Sequence, residues 1–242
     1  MTSKKPPNLH YEKLVWEKGF KYVAGLDEAG RGSFAGPVVA GCVVFESNSK
    51  FSLPPSIKID DSKRITKLQR ERSCKWIKEN ALAWGIGLGS VAEINSKGIS
   101  KATASGFRRS VVSTQDRLGR RVDFLLTDAF YIPYVRGIRM PKNTVRKRLK
   151  NTTSTKCLKI DCQQLALVHG DQKSFTIAAA SIIAKVYRDK LMVRLSKKRR
   201  CNKYHWEENK GYGTKSHTTA IKKYGITRHH RKAFVNTFLG RS

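Results

Sequence analysis

Apolar and polar positions recur at two periods along the chain, and each period predicts its own kind of element. Residues 22 to 26 (Tyr-Val-Ala-Gly-Leu) form an apolar run that stops at two adjacent acids, Asp27 and Glu28. A strand is predicted there, followed by the glycine-rich turn Gly30-Arg31-Gly32 and a second strand over residues 38 to 45. Polar residues 46 to 58, with Ser and Pro among them, read as a loop. Asp60-Asp61-Ser62-Lys63-Arg64 leads into a helix that Ser62 or Thr66 can cap, with an imperfect apolar face of Ile65, Leu68, Trp76 and Ile77. Residues 81 to 91 carry Gly85, Gly87 and Gly89 at alternate positions. Because these lie inside an apolar run, the pattern predicts a strand, not a nucleotide loop.

Residues 92 to 118 read as helix, with Ile94, Ile99, Ala102, Phe107, Val111 and Val112 expected to be buried. Two further short strands are predicted, over 122 to 126 and 165 to 168. The first ends at Thr127-Asp128, and the second leads through His169-Gly170 to Asp171. The strongest helical pattern runs from 175 to 195, with Ile177, Ala180, Ala184, Tyr187, Leu191 and Leu195 at three- and four-residue spacing. Its first half is apolar or small on all sides and should lie deep against a sheet. A loose tail with a short helix at 11 to 18 precedes the first strand. Alternating strands and helices predict an α/β fold with a central sheet. Its expected divisions are an N-terminal tail (1–18), a main domain (19–196) and a small helical C-terminal appendage (197–242).

Charge changes this picture. The 242 residues hold 49 Lys+Arg against 18 Asp+Glu, a formal net charge of +31, which points to a polyanionic partner such as nucleic acid. Residues 129 to 160 contain no acid but nine basic residues, so they read as a long basic loop, here expected to clamp duplex. From Lys185 onward, 17 basic residues face three acids, with Tyr204, Trp206, Tyr212, Tyr224 and Phe234 interleaved. Five scattered cysteines without zinc-site spacing fit reduced thiols. No run has the length of a membrane span, and a cytoplasmic monomer is expected.

Against that positive background, Asp27, Glu28, Asp128 and Asp171 each follow an apolar strand-like segment. If those strands are neighbours running the same way, their carboxylates converge and need a cation to be tolerated. Oxygen-only ligands suit Mg²⁺ or Mn²⁺ shared with substrate phosphate, the arrangement used for phosphodiester hydrolysis.

The motif Asp27-Glu28-Ala29-Gly30-Arg31-Gly32, with Gly36-Pro37 behind it, resembles the opening motif of ribonuclease HII, the type 2 ribonuclease H family. The resemblance continues through Asp61-Ser62-Lys63-Arg64, Thr127-Asp128-Ala129-Phe130, His169-Gly170-Asp171, residues 178 to 189, Lys210-Gly211-Tyr212-Gly213-Thr214 and residues 225 to 231. It implies an RNase H-like fold, with a mixed sheet flanked by helices, and a Mg²⁺- or Mn²⁺-dependent endonuclease. Its partners would be RNA–DNA hybrids and DNA duplexes holding a ribonucleotide, nicked on the 5′ side to leave 3′-hydroxyl and 5′-phosphate ends. By the same resemblance Asp27, Glu28, Asp128 and Asp171 are the metal-binding catalytic acids. Gly30, Arg31 and Gly32 read the ribose 2′-hydroxyl and its phosphate, Tyr212 packs on the deoxyribose beyond the junction, and Ser62 and Lys63 contact the backbone. The interval from Asp128 to Asp171 exceeds the family's usual one by the basic loop.

Simpler roles are expected elsewhere: an ion pair for Asp189, loop capping for Asp60, and packing for His217, His229, His230, Trp76, Trp84 and Trp206. The sister type, ribonuclease HIII, lacks the arginine of the Gly-Arg-Gly loop, and Arg31 is present here.

Overall fold

A computed structural model describes residues 6–47, 52–132 and 163–240. The expected clamp at about 136–160, together with Cys157 and Cys162, lies outside the described residues. Five strands form one sheet in the order β3-β2-β1-β4-β5. They are β1 (Val23–Ala29), β2 (Val38–Val44), β3 (Ala83–Gly89), β4 (Phe124–Asp128) and β5 (Gln163–Leu167). β1, β2 and β3 form an antiparallel meander, whereas β4 pairs parallel with β1 and β5 parallel with β4. The sheet is therefore mixed, and β1, β4 and β5 end on the same edge.

Helices cover both faces. On one lie α3 (Val91–Lys97) and α4 (Ile99–Leu118). The predicted single helix is broken between them at Gly98, whose φ of +82° cannot continue a helix. The alternate glycines of β3 face α4: a Cβ on any of them would strike its backbone at Ser110, Gly106 or Ala102. Those glycines serve close packing, and Phe107 and Val111 join Leu26, Cys42 and Leu125 in the core beneath.

The opposite face carries α2 (Lys67–Asn80) and α5 (Phe175–Ser196). Of the two candidate caps for α2, Thr66 closes a capping box with Gln69, while Ser62 turns inward. Every residue from Ile177 to Ala184 is buried, as the apolar pattern requires. Further along α5 the buried positions shift from the predicted stripe. Tyr187 and Leu191 are half-buried, while Arg188 and Met192 are fully buried. The cause is the C-terminal region, which packs on that side.

In that region α6 (Trp206–Asn209), α7 (Lys215–Tyr224) and α8 (Lys232–Leu239) follow a short 3₁₀ turn. Tyr204, Trp206, Ile221 and Val235 build an apolar cluster of their own with Met192 and Leu195 of α5 and Ala35 of the β1–β2 loop. At the other end, α1 (His10–Trp16) packs near the start of β1. No helix among the described residues is long and apolar enough to cross a membrane.

Candidate active site

Parallel pairing decides where the acids meet. Gly25 lies opposite Leu126 in the β1–β4 register, so two residues on, Asp27 and Asp128 stand side by side on the face covered by α5. β5 aligns Leu167 with Asp128, and the chain then turns through His169, at φ +56°, into a short 3₁₀ turn that brings Asp171 to the same edge. The N–H of Gly170 donates to Asp128 Oδ1 at 2.7 Å, fixing that turn to β4. Carboxylate oxygens of Asp27, Asp128 and Asp171 all lie within 4.8 Å of one another.

Glu28 is not in that trio. Successive residues of a strand point to opposite faces, which separates Glu28 from Asp27. It still borders Asp128 closely enough for their charges to interact, and its Oε1 lies 3.6 Å from Arg31 Nη1. Its other oxygen, Oε2, is buried without a hydrogen-bond partner among the described residues.

The electrostatics match the crowding. Burial, then the charges of Glu28 and Asp128, hold the Asp27 carboxyl well above the ordinary range. Burial, then Asp128 and Asp61, push Asp171 up to about 6. Burial also raises Glu28, against the pull of Arg31. Three gathered carboxylates, with Asp27 and Asp171 raised in proton affinity, and an orphaned carboxylate oxygen beside them form an all-oxygen donor set that fits a hard divalent cation.

Around this cluster the other expected residues take distinct places. Arg31 and Gly32 are exposed, Gly30 is buried, and the Arg31 guanidinium also lies 5.2 Å from the Phe130 ring centroid. Lys63 faces the acids. Partial burial works against its charge, but Asp61, Asp27, Asp171 and Asp128 together hold its ammonium above the ordinary value. Ser62 is buried, and its hydroxyl accepts from Ser181 of α5 at 2.9 Å. Tyr212 is half-buried, with Arg188 at 5.2 Å and Lys185 at 5.5 Å from its ring centroid.

A ribonuclease HII profile matches residues 24–237. The chain belongs to the ribonuclease HII family. The curated ribonuclease HII of Caldanaerobacter subterraneus subsp. tengcongensis is 37% identical over 232 residues, covering 95% of this chain and 80% of that protein. The ribonuclease H2 structure from Pyrococcus horikoshii OT3 superposes with a TM-score of 0.62 at 24% identity, covering 89% of this chain and 96% of that one. Bst-RNase HIII in complex with Mn²⁺ matches with a TM-score of 0.60 at 18% identity, covering 91% and 70% respectively. The protein is thus a ribonuclease H, a phosphodiester hydrolase of a divalent-metal-dependent family that acts on RNA–DNA hybrids.

Within this ribonuclease HII chain the simpler expectations also have outcomes. Asp189 pairs with Lys185 at 2.9 Å. Asp60 accepts from the N–H of Asp61 and from Arg64, capping the loop. Trp206, His217 and His230 are buried in the C-terminal cluster, where Trp206 Nε1 donates to His217 Nε2 at 3.0 Å. Cys42, Cys74 and Cys201 are free and buried.

Sequence reasoning missed three side chains that shape the site. Asp61, which opens the Asp61-Ser62-Lys63-Arg64 motif without an assigned role, reaches Asp171. Arg188 and Arg231 sit inside recognised motifs without an assigned role, and both are fully buried against the Gly30–Gly32 turn.

Proposed function

We propose that this ribonuclease H nicks duplex DNA on the 5′ side of an embedded ribonucleotide, besides cutting the RNA of hybrids, and leaves 3′-hydroxyl and 5′-phosphate ends. The observation that carries this reading is the adjacency of the Asp27–Asp128–Asp171 cluster to the exposed Arg31-Gly32 turn. The acids serve hydrolysis and the turn selects the ribose.

Asp27, Asp128, Asp171 and Glu28 would hold two Mg²⁺ or Mn²⁺ ions. Such ions supply an activated water and stabilise the departing 3′ oxygen during in-line displacement at phosphorus. The chain's own residues do the rest. A turn of small residues lets the backbone approach the 2′-hydroxyl, the group that separates RNA from DNA. Arg31, half-exposed and only loosely paired with Glu28, can swing to a phosphate oxygen and fork onto it. Tyr212, held between α5 and the C-terminal cluster, offers a flat face to the sugar beyond the junction. Lys63 places a positive charge beside the acids, where the scissile phosphate would enter, and the loop carrying Ser62 would follow the backbone.

The test is a DNA duplex holding one ribonucleotide, incubated with Mg²⁺ or Mn²⁺ and resolved for end chemistry. Nicking 5′ of the ribose with a 3′-hydroxyl product is expected. Cutting of hybrids with no nick at a single ribonucleotide would overturn the reading and place the chain functionally with the sister type.

A further inference from the structure

Among the described residues two arginines, Arg188 and Arg231, are fully buried, and both bind the same short loop. Arg231, just before α8, donates Nε to the carbonyl of Gly36 at 2.9 Å, Nη1 to that of Arg31 at 2.7 Å and Nη2 to that of Gly30 at 2.7 Å. Arg188 of α5 donates Nη2 to Ser33 Oγ at 2.7 Å and to the Ala35 carbonyl at 3.1 Å, Nε to Pro37 O at 3.2 Å, and Nη1 to Lys210 O at 3.0 Å. Ser33 in turn donates its hydroxyl to Gly30 O at 2.9 Å. Neither guanidinium has a carboxylate salt-bridge partner among the described residues. Burying two cations on neutral acceptors is costly, and a better-packed apolar pair would hold the fold at less expense. The arrangement therefore asks for a purpose other than stability.

Peptide geometry supplies one. In a planar trans peptide the C=O and the following N–H point in opposite directions, and no peptide bond among the described residues is cis. Drawing the carbonyls of Gly30 and Arg31 inward onto Arg231 turns the N–H groups of Arg31 and Gly32 outward. Neither N–H has a hydrogen-bond partner among the described residues. Two successive outward N–H groups form an anion-binding concavity, here backed by two buried positive charges in a low-dielectric setting. Burial and the neighbouring Arg188 lower Arg231 only to about 9, so it keeps its charge at neutral pH.

We propose that Arg231, with Arg188 beside it, is a positioning residue that presents the N–H groups of Arg31 and Gly32 to the ribonucleotide and its phosphate. This rests on the reading of the Gly30–Gly32 turn as the ribose sensor. It makes the C-terminal region part of substrate selection through its grip on the turn, in addition to any direct contact with duplex.

The test compares the full chain with Arg231→Lys and Arg231→Gln, each with Mn²⁺, on an RNA–DNA hybrid and on a duplex with one ribonucleotide. Lysine keeps the charge but loses the fork. KM for the single-ribonucleotide duplex should rise about tenfold in the lysine variant and more in the glutamine variant. The rise should be smaller on the hybrid, which offers many riboses, while Mn²⁺ affinity stays within about twofold. Folded variants with wild-type KM on both substrates would overturn the proposal, as would a lowered melting temperature with KM unchanged. A second measurement needs no variant: amide resonances of Arg31 and Gly32 should move more on titration with the ribonucleotide duplex, in metal-free buffer, than with the same sequence as all-DNA. Equal movement would overturn it. If wild type cuts hybrid but not the single-ribonucleotide duplex, the proposed cleavage specificity fails, and the hybrid KM still reports on Arg231.

Discussion

The side chain of Arg188 fills the space that a Cβ on Gly30 would need, whereas nothing among the described residues beyond its chain neighbours lies within 4 Å of a Cβ placed on Gly32. Gly30 also holds a φ of +87°, a region costly for any residue with a side chain. The two glycines of one motif thus have different reasons. Gly30 is glycine for the fold. Gly32 has no such reason among the described residues, which fits the substrate approach proposed for it.

Substitution should separate them. Gly30→Ala is expected to cost about 1–3 kcal/mol from backbone strain alone, with the displacement of Arg188 added. That corresponds to a fall of several degrees in Tm for a chain of this size, at about 2–4 °C per kcal/mol. Gly32→Ala should leave Tm unchanged or slightly higher, yet reduce nicking at a single ribonucleotide by about two orders of magnitude, since a displacement near 1 Å is enough for that. Melting curves and initial rates check both.

The acid cluster makes a prediction of opposite character, in which loss of function raises stability. Folding lifts the Asp27 and Asp171 carboxyls above their unfolded values, Asp171 from 3.8 to about 6. Between those limits the native state binds more protons than the unfolded chain, so their contribution to stability falls as pH rises through the window and stays lost above it. Asp27→Asn should therefore abolish cleavage, retain duplex binding and raise the Tm of the metal-free protein at pH 7. Added Mg²⁺ or Mn²⁺ should raise the wild-type Tm more at pH 7 than at pH 5, and much less in the variant. A metal-free variant melting below wild type at pH 7 would contradict this account.

The contrast between what the sequence reveals here and what it hides follows from distance along the chain. Strand-ending acids were legible at Asp27, Asp128 and Asp171, because an apolar run followed by a carboxylate is local. That β1, β4 and β5 are parallel neighbours was not, since it depends on pairing across long intervals. The split of Glu28 from Asp27 was available from the two-residue period of a strand. Arg188 could also have been flagged: Ala184, Arg188 and Met192 form an i, i+4 row with a charge in the middle, and all three are buried. The stripe drawn through Tyr187 and Leu191 missed it because the C-terminal cluster, remote in sequence, covers that side of α5. Arg231 carries no local signal, as its acceptors lie about 200 positions away.

His217 and His230 form a chain whose protonation can be read from its acceptors. His217 Nδ1 lies 2.9 Å from the carbonyl of Tyr212 and must donate, so its Nε2 accepts, from Trp206 and from His230. His230 Nδ1 accepts the N–H of Thr227 at 2.9 Å. Both rings are neutral in this network, and protonating either breaks it. Burial, then the neighbouring His217, lowers His230 to about 3, and burial lowers His217 as well. A depressed folded value means stability that is present above the unfolded pKa of 6.5 and lost as pH falls from there toward about 3. His230→Gln should melt below wild type at pH 8, and the difference between them should shrink as pH falls through that window. Because the acid cluster is common to both proteins, its opposing trend cancels in the comparison. Parallel curves from pH 8 to pH 4 would show that the histidine network does not titrate as described.

Glu12 is fully buried on α1, far in sequence from the helix it serves. Its Oε1 accepts from Ser174 Oγ at 2.6 Å, from Thr176 Oγ1 at 2.7 Å and from the Thr176 N–H at 2.9 Å, all at the start of α5. A carboxylate at a helix N-terminus satisfies open N–H groups and meets the positive end of the dipole. α5 also carries Ser181, Lys185 and Arg188, so this anchor holds the helix that supports the acids and the Gly30–Gly32 turn. Removing the carboxylate leaves three buried donors without their acceptor. Glu12→Ala should cost about 3 kcal/mol, the scale for breaking a buried charged interaction. At about 2–4 °C per kcal/mol, Tm should drop by roughly 6–12 °C. Glu12→Gln keeps one acceptor oxygen and should lose less. The residue makes no contact with the acid cluster, so kcat at 15 °C, well below the lowered transition, should stay within about twofold of wild type. A variant with wild-type Tm would remove Glu12 as an anchor. One that melts normally but has lost activity would show that α1 acts on the site by a route other than the stability of α5.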